Sequence, residues 1–331
     1  MKILDVVGID VSKLTIDVVI HSNQQHYQFE NTRVGFRKLT KWALKESLCS
    51  KENLLYVFEH TGLYSYELSI YLTEKEIPFS MVPGLEIKRS LGISRGKDDK
   101  KDARVIARYA YRLRDEIQLT VIATKEIQKL KNLLTLRERM VKQRSGYKAS
   151  LREMKRVLTI KDNPLLISSQ QEIIDSLVEQ ILKIEECMYE IIDADETLKE
   201  QFNLITSIKG IGSQTALNMI VITDGFTKFK TSRHFASYSG IAPFPNSSGT
   251  SIRGRTKVNN LANKRIKTLL DLAAKVSIQH NPEMKTYYHK RLDQGKSKMS
   301  TINVIRNKLL SRIFAVISRK TPYVCTKKYA A

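Results

Sequence analysis

The sequence predicts an α/β fold built on a mixed sheet at the N-terminus, continued by two long helices and a mainly helical, strongly basic C-terminal third. Three features carry that prediction. Short apolar or alternating runs separated by polar links fill residues 1–82, the pattern of strands. Longer stretches with apolar residues three and four apart fill 99–191, the pattern of helices. Beyond residue 250 the balance of acidic to basic residues shifts sharply toward basic.

Taken in order, Ile3 to Ile9 is an apolar run ending at Asp10, Leu14 to Ile20 is rich in β-branched residues, and His26 to Phe29 alternates. Such runs suit strands, and the links Val11-Ser12-Lys13 and Ser22-Asn23-Gln24 make them a three-stranded antiparallel meander. Asn31-Thr32 can cap a helix over Val34 to Leu48. Leu54 to Phe58 is uninterrupted and apolar, as in a strand buried on both faces, and ends at Glu59. A helix from Tyr64 to Glu74 and a strand over Pro78 to Val82, closed by Pro83-Gly84, complete the sheet. Val105, Ile106, Tyr109 and Leu113 recur on one side of a helix from Asp99 to Arg114.

A long helix follows from Thr124 toward Leu158, with a break near Asp162-Asn163-Pro164. Ile174, Leu177, Ile181, Ile184, Met188 and Ile191 are then spaced alternately by three and four, a heptad seam. Two long helices about one proline turn read as a long antiparallel coiled-coil arm, with a dimerisation coil as the alternative. The expected domains are 1–118, a mixed-sheet domain; 119–200, the helical arm; and 201–331, the C-terminal domain.

Of 331 residues, 42% are hydrophobic and 27% charged, which excludes a disordered chain. Fifty-six Lys and Arg face 34 Asp and Glu, a net charge of +22. A surplus of that size favours a polyanionic partner, most simply nucleic acid. Ser251 to Lys320 holds 17 Lys and Arg against three acidic residues, more than half of the surplus. No uncharged stretch reaches the ~18 residues of a membrane span. Asp5 and Asp10 interrupt what would be the apolar core of a secretory signal. Cys49, Cys187 and Cys325 are far apart and support neither a disulfide framework nor a zinc site. A cytoplasmic protein, associated with the nucleoid when bound to DNA, is expected.

Four carboxylates stand out. Asp10 and Glu59 each end a strand, and if those strands are neighbours both lie at one edge of the sheet. Asp99 and Asp102 are three apart, on one face of a helix. Four converging carboxylates repel one another without a counter-charge, and Mg²⁺ supplies it through hard oxygen ligands. Two ions ~3.5–4 Å apart can hold both the attacking and the leaving oxygen of a phosphoryl transfer. The plainer reading of Asp98, Asp99 and Asp102 among Lys97, Lys100 and Lys101 is a solvated helix face of mixed charge.

The segments Gly8-Ile9-Asp10-Val11-Ser12-Lys13, Glu59-His60-Thr61-Gly62-Leu63-Tyr64 and Lys97-Asp98-Asp99-Lys100-Lys101-Asp102-Ala103 resemble the DEDD motifs of the insertion-sequence-110 family of transposases. The N-terminal domain of that family is RuvC-like, that is, RNase H-like. Its usual third motif is Lys-Thr-Asp-x-x-Asp-Ala, so Asp99 and Asp102 match the acidic positions while Asp98 stands at the small polar one. His60 replaces the common Ala or Pro and reads as a local packing variation.

Gly240-Ile241-Ala242-Pro243-Phe244-Pro245-Asn246-Ser247-Ser248-Gly249-Thr250-Ser251-Ile252-Arg253-Gly254 resembles the C-terminal motif of the same family. There a serine before the glycine is the proposed nucleophile, and Ser248 is the matching position. A serine can store the energy of a phosphodiester in a phosphoserine ester. Ser247 and Ser251 remain rivals, and without the resemblance the segment reads as a flexible polar loop. Such a site would be composite, built from two domains or two subunits.

Arg253 and Arg255 suit phosphate oxygens, and Lys257, Lys264 and Arg265 extend the basic surface. Ile208-Lys209-Gly210-Ile211-Gly212 resembles a helix-hairpin-helix in which Lys209, Gly210 and Gly212 meet a phosphate; a tight turn between helices is the alternative. Tyr287, Tyr288 and His289 beside Lys290-Arg291 either stack on bases or lie half-buried on a helix.

The resemblance implies a DNA transposase or recombinase with Asp10, Glu59, Asp99 and Asp102 on Mg²⁺, two ions with Mn²⁺ as a substitute, and Ser248 linked covalently to DNA. It implies double-stranded donor and target DNA, a noncoding bridge RNA that pairs with them, and a homo-oligomer, dimer or tetramer. Sequence choice by base pairing leaves the protein chiefly backbone contacts, in keeping with its charge. The alternatives are a RuvC-like junction resolvase or nuclease without a covalent serine step, an actin-like ATPase or sugar kinase, and a non-catalytic nucleic-acid-binding protein. The ATPase or kinase would need a second glycine-rich phosphate loop, and none is found.

Overall fold

The computed structural model describes residues 2–90, 99–158, 163–248, 252–258 and 261–324. The chain divides into two compact units, Met1–Ile122 and Ala123–Ala331.

The first unit contains β1 (Asp5–Val11), β2 (Thr15–Ile20), β3 (His26–Glu30), α1 (Arg33–Ser47), β4 (Leu54–Glu59), α2 (Tyr66–Glu74), β5 (Phe79–Val82), α3 (Gly84–Ser90) and α4 (Asp99–Arg112). Among the described residues its strands form one sheet in the order β3-β2-β1-β4-β5. β1, β2 and β3 make the expected antiparallel meander, while β4 and β5 join it in parallel. Leu14, read above as part of a strand, lies in the turn and is 74% exposed. Thr32 caps α1, its hydroxyl accepting the Gly35 N–H at 3.2 Å. α3 was not expected: it starts directly after Pro83, where the residues signal a turn.

Both faces of the sheet are covered. On one, Phe36, Leu39 and Ala43 of α1 and Leu68 and Leu72 of α2 pack over Val7, Ile9, Ile16, Val18, Tyr56 and Phe58. On the other, Ile106, Tyr109 and Ala110 of α4 pack with Ile3, Val6, Leu55 and Val57. β4 is therefore buried from both sides, which explains its unbroken apolar run.

The second unit begins with α5 (Lys125–Val157) and α6 (Pro164–Ala194). Their packing is antiparallel. Ile127, Leu130 and Leu134 near the start of α5 share a core with Ile184, Met188 and Ile192 near the end of α6, and Leu151 meets Ile167 and Ile174 at the other end. The seam of α6 differs in part from the heptad reading: Ile174, Ile181, Ile184 and Met188 are buried, but Leu177 and Ile191 are half-buried and Ile192 is buried instead.

α7 (Glu196–Thr206), α8 (Ser213–Thr223), α9 (Ser232–Tyr238), β6 (Pro243–Ser248), β7 (Ile252–Val258), α10 (Lys264–His280), α11 (Pro282–Asp293) and α12 (Lys298–Arg319) follow. Leu204, Leu217, Ile220, Leu270 and Leu309 belong to the same core as the joined ends of α5 and α6. One apolar core therefore serves both the long helices and the C-terminal ones. No helix among the described residues is long and apolar enough to cross a membrane.

Candidate active site

β1 and β4 run in register from Asp5↔Leu54 to Ile9↔Phe58. Asp10 and Glu59 come one step later on each, so both carboxylates stand at the same end of two adjacent parallel strands. Alternation decides their face. Ile9 and Phe58 point into the core beneath α1 and α2, whereas Val6 and Val57 pack against α4. Asp10 and Glu59 share the α4 face.

Gly8 brings α4 down onto that face. A Cβ at Gly8 would stand 2.5 Å from Ala103 O and 2.6 Å from Ala107 Cα, so the helix backbone can approach only a glycine this closely. Ile106 and Ala110 lie beside Ile3 and Val6, toward the start of β1. The helix thus runs against β1, and its first turn, from Asp99 to Asp102, is the end nearest Asp10.

Asp10, Glu59 and Asp102 are each half-buried. Among the described residues no three carboxylate, imidazole or thiol groups close into a metal-binding cluster. Asp98 and the side chain of Asp99 lie outside the described residues. The Glu59 carboxylate rests against Gly84. Exposed His60 accepts the Gly62 N–H at Nδ1, at 3.2 Å, and so closes a local turn.

The register adds residues that reading the sequence missed. Asp17 of β2 is the partner of Asp10, and Gln28 of β3 is the partner of Asp17. Asp17 is 5% exposed; it accepts from Gln28 Nε2 at 3.0 Å and lies 2.7 Å from His26 Nε2. Partners on both oxygens make its burial tolerable. Glu59, Asp10, Asp17 and Gln28 cross four strands as one polar row. The signal for Asp17 lay in the short turn after Val11, which sets the pairing of β1 with β2.

In the second unit, Ser248 is the last residue of β6 and the register partner of Ile252, while Ser247 is the partner of Arg253. The segment is a paired hairpin on either side of residues 249–251 rather than a polar loop throughout. Ser251 and the side chains of Ser247, Ser248, Arg253, Arg255 and Lys257 lie outside the described residues.

Lys209 is exposed, and its carbonyl accepts from Ser277 Oγ at 2.9 Å. Gly210 has φ +98°, and a Cβ there would come within 2.8 Å of Ser277 Cα; packing on α10 by itself accounts for this glycine. Gly212 precedes the first turn of α8, with open space where a Cβ would be. Lys264 is exposed at the start of α10. Arg265 faces inward instead, 3.0 Å from Glu138 and donating to Leu134 O at 3.2 Å; burial pushes its guanidinium below its ordinary pKa, with Glu138 opposing. Tyr287 and Tyr288 are half-buried against the core, and Lys308 Nζ sits 4.4 Å from the centre of the Tyr287 ring. They take the second of the two readings given above.

A mixed sheet of this strand order, with carboxylates level near the ends of adjacent parallel strands, is consistent with an RNase H-like α/β domain. Comparison with known proteins narrows the class. The DEDD model of IS110 elements, described as a transposase, matches residues 7–159. The model described as "Transposase IS116/IS110/IS902 family" matches residues 202–289. The pilin gene-inverting proteins of Moraxella lacunata and Moraxella bovis are each 27% identical over 323 residues, covering 96% of this chain and 97% of theirs. The transposase for insertion sequence element IS1111A of Coxiella burnetii is 24% identical over 70% of each chain. The chain belongs to the IS110 family of transposases, and it is a DNA transposase/recombinase.

The DEDD family implies a divalent metal. The chemistry of the donors fits one, since Asp10 and Glu59, level at one end of one sheet face, and Asp102 in the first turn of α4 are hard oxygen ligands.

Proposed function

We propose that this enzyme cuts and rejoins DNA strands through a covalent intermediate on Ser248, with Asp10, Glu59, Asp99 and Asp102 holding two Mg²⁺ ions. The observation that carries the carboxylate assignment is the level placement of Asp10 and Glu59 beneath the N-terminal turn of α4. The assignment of Ser248 rests on the family motif and on its place at the end of β6.

Bound divalent metal supplies the counter-charge that the carboxylates need and withdraws charge from the phosphodiester under attack. The carboxylates would hold that metal and so fix where the DNA phosphate binds. Ser248 Oγ attacks phosphorus; a P–O bond to serine forms, the bond to the departing deoxyribose oxygen breaks, and the serine proton ends on that oxygen. The bond energy is conserved in the phosphoserine ester. A DNA hydroxyl then attacks the same phosphorus; the new P–O bond rejoins the strands, the bond from phosphorus to Ser248 Oγ breaks, and the proton lost by the attacking hydroxyl returns to the serine, so no ATP is consumed.

Arg253, Arg255, Lys257 and Lys264 contact phosphate, joined by the turn at Lys209, Gly210 and Gly212, while Arg265 braces α5. A noncoding bridge RNA pairs with donor and target DNA, the enzyme works as a dimer or tetramer, and it acts in the cytoplasm at the nucleoid. The helices α5 and α6 form the arm, a further surface for phosphate backbone.

The test mixes protein, Mg²⁺, the element's flanking transcript and matched DNAs, and then isolates protein-linked DNA under denaturing conditions. Wild-type enzyme is expected to yield a serine-linked adduct, and Ser248→Ala none, with RNA and DNA binding nearly intact. Full activity in Ser248→Ala moves the role to Ser247 or Ser251. Cleavage without any adduct points to hydrolysis of the RuvC type.

A further inference from the structure

Gly84 begins α3 directly beyond β5, and nothing in the family motifs draws attention to it. Val82, the last residue of β5, is the register partner of Glu59. The three atoms nearest to a Cβ built on Gly84 all belong to the Glu59 carboxyl group, and the clearance to Oε2 is 2.7 Å. The carboxylate occupies the space that a side chain at position 84 would fill. The backbone of Gly84 is not in the left-handed region, so conformation alone does not demand a glycine here.

We propose that Gly84 is a positioning residue for Glu59. Its missing side chain provides the seat that aims the Glu59 carboxylate within the polar row beside Asp10. This rests on the assignment of Glu59 as a metal ligand. A methyl group at position 84 forces the carboxylate to a new position, about 1 Å or more away if ordinary contact is to be restored. Displacements of that size at a reacting centre cost about 10²-fold in rate. The fold has no reason to suffer, because the nearest atoms that a methyl would displace belong to the end of one flexible side chain and the backbone of Gly84 is open to any residue.

The experiment compares wild type, Gly84→Ala, Glu59→Gln, Glu59→Asp and the double variant Glu59→Asp/Gly84→Ala, each as the full chain. Four quantities are read: the melting temperature without metal, its rise with Mn²⁺ alone, the metal concentration giving half-maximal strand transfer, and the rate of strand transfer. Gly84→Ala is expected to melt no lower than wild type without metal. It should lose most of the Mn²⁺-induced rise, need about tenfold more metal, and transfer strands 10- to 100-fold more slowly. In the Glu59→Asp background, whose side chain is one methylene shorter, Gly84→Ala should cost less than threefold. A merely structural role would cost the same in both backgrounds. Wild-type metal response and rate in Gly84→Ala, with both lost in Glu59→Gln, overturns this inference alone. If Glu59→Gln also behaves as wild type, the assignment of Glu59 falls, and the inference with it.

Discussion

Replacing Gly8 by alanine drives a methyl group into the backbone of α4. The new Cβ would lie 2.5 Å from Ala103 O and 2.6 Å from Ala107 Cα, and it would also meet Ala107 N. Ordinary contacts of about 3.4 Å or more return only if the helix lifts by roughly 1 Å, because none of these atoms can rotate away. Overpacking of this kind costs about 1–3 kcal/mol, a fall in Tm of about 5–15 °C for a unit of this size. The helix carries Asp99 and Asp102 with it, so a comparable shift reaches the carboxylates, and a ~1 Å misplacement costs about 10²-fold in rate. The assay pairs urea denaturation with strand transfer at a temperature where both proteins are fully folded. Loss of rate in the folded variant is expected. Wild-type rate from a folded Gly8→Ala protein would refute the idea that close approach of α4 to β1 assembles the site.

His21 stacks on Tyr111 with ring centroids 3.8 Å apart, and burial lowers its pKa, with Asp5 opposing and Arg114 assisting. A depressed folded-state value means that its contribution is complete above the unfolded value near 6.5 and is lost as pH falls through the folded value. His21→Phe, which can keep the stack, should flatten the melting curve's dependence on acid below pH ~6.5; an unchanged dependence would remove His21 from the account. His26→Ala leaves one oxygen of buried Asp17 without its partner and should destabilise the fold by about 1–3 kcal/mol in urea titrations; no loss would mean that Asp17 finds another donor. Arg265→Ala should lower stability by about 1–2 kcal/mol with little change in DNA affinity, whereas exposed Lys264→Ala should weaken binding and lower the salt slope by about one. The opposite pattern would return Arg265 to the nucleic-acid surface.

The meander and the buried strand were legible because alternation and unbroken apolar runs report burial directly, and both faces of β4 are covered. The β6–β7 hairpin was not. Pro243, Pro245 and a run of serines avoid strands by propensity, so ladder pairing rather than composition holds Ser247 and Ser248 in place. α3 was missed for a related reason, since Pro83-Gly84 signals a stop and the helix has only seven residues. The seam of α6 drifted for a geometric one. A straight helix of 3.6 residues per turn falls behind a 3.5-residue repeat by about 20° per heptad, which is why Ile192 replaces Ile191 at the far end.

The active-site candidates divide along the same line. Asp10 and Glu59 announce themselves because each follows an apolar run at the end of a strand, Asp10 one residue short of the end of β1, but which carboxylates meet is decided by register, and register made Asp17 the partner of Asp10. Gly8 and Gly84 are harder still. Their contribution is the space they leave, for a helix backbone in one case and a carboxylate in the other, and a motif search for ligands passes over residues that have none to offer. If that reasoning holds, substitutions at these two glycines should separate: Gly8 variants should lose stability and rate together, and Gly84 variants rate alone, because a backbone cannot yield where a side chain can.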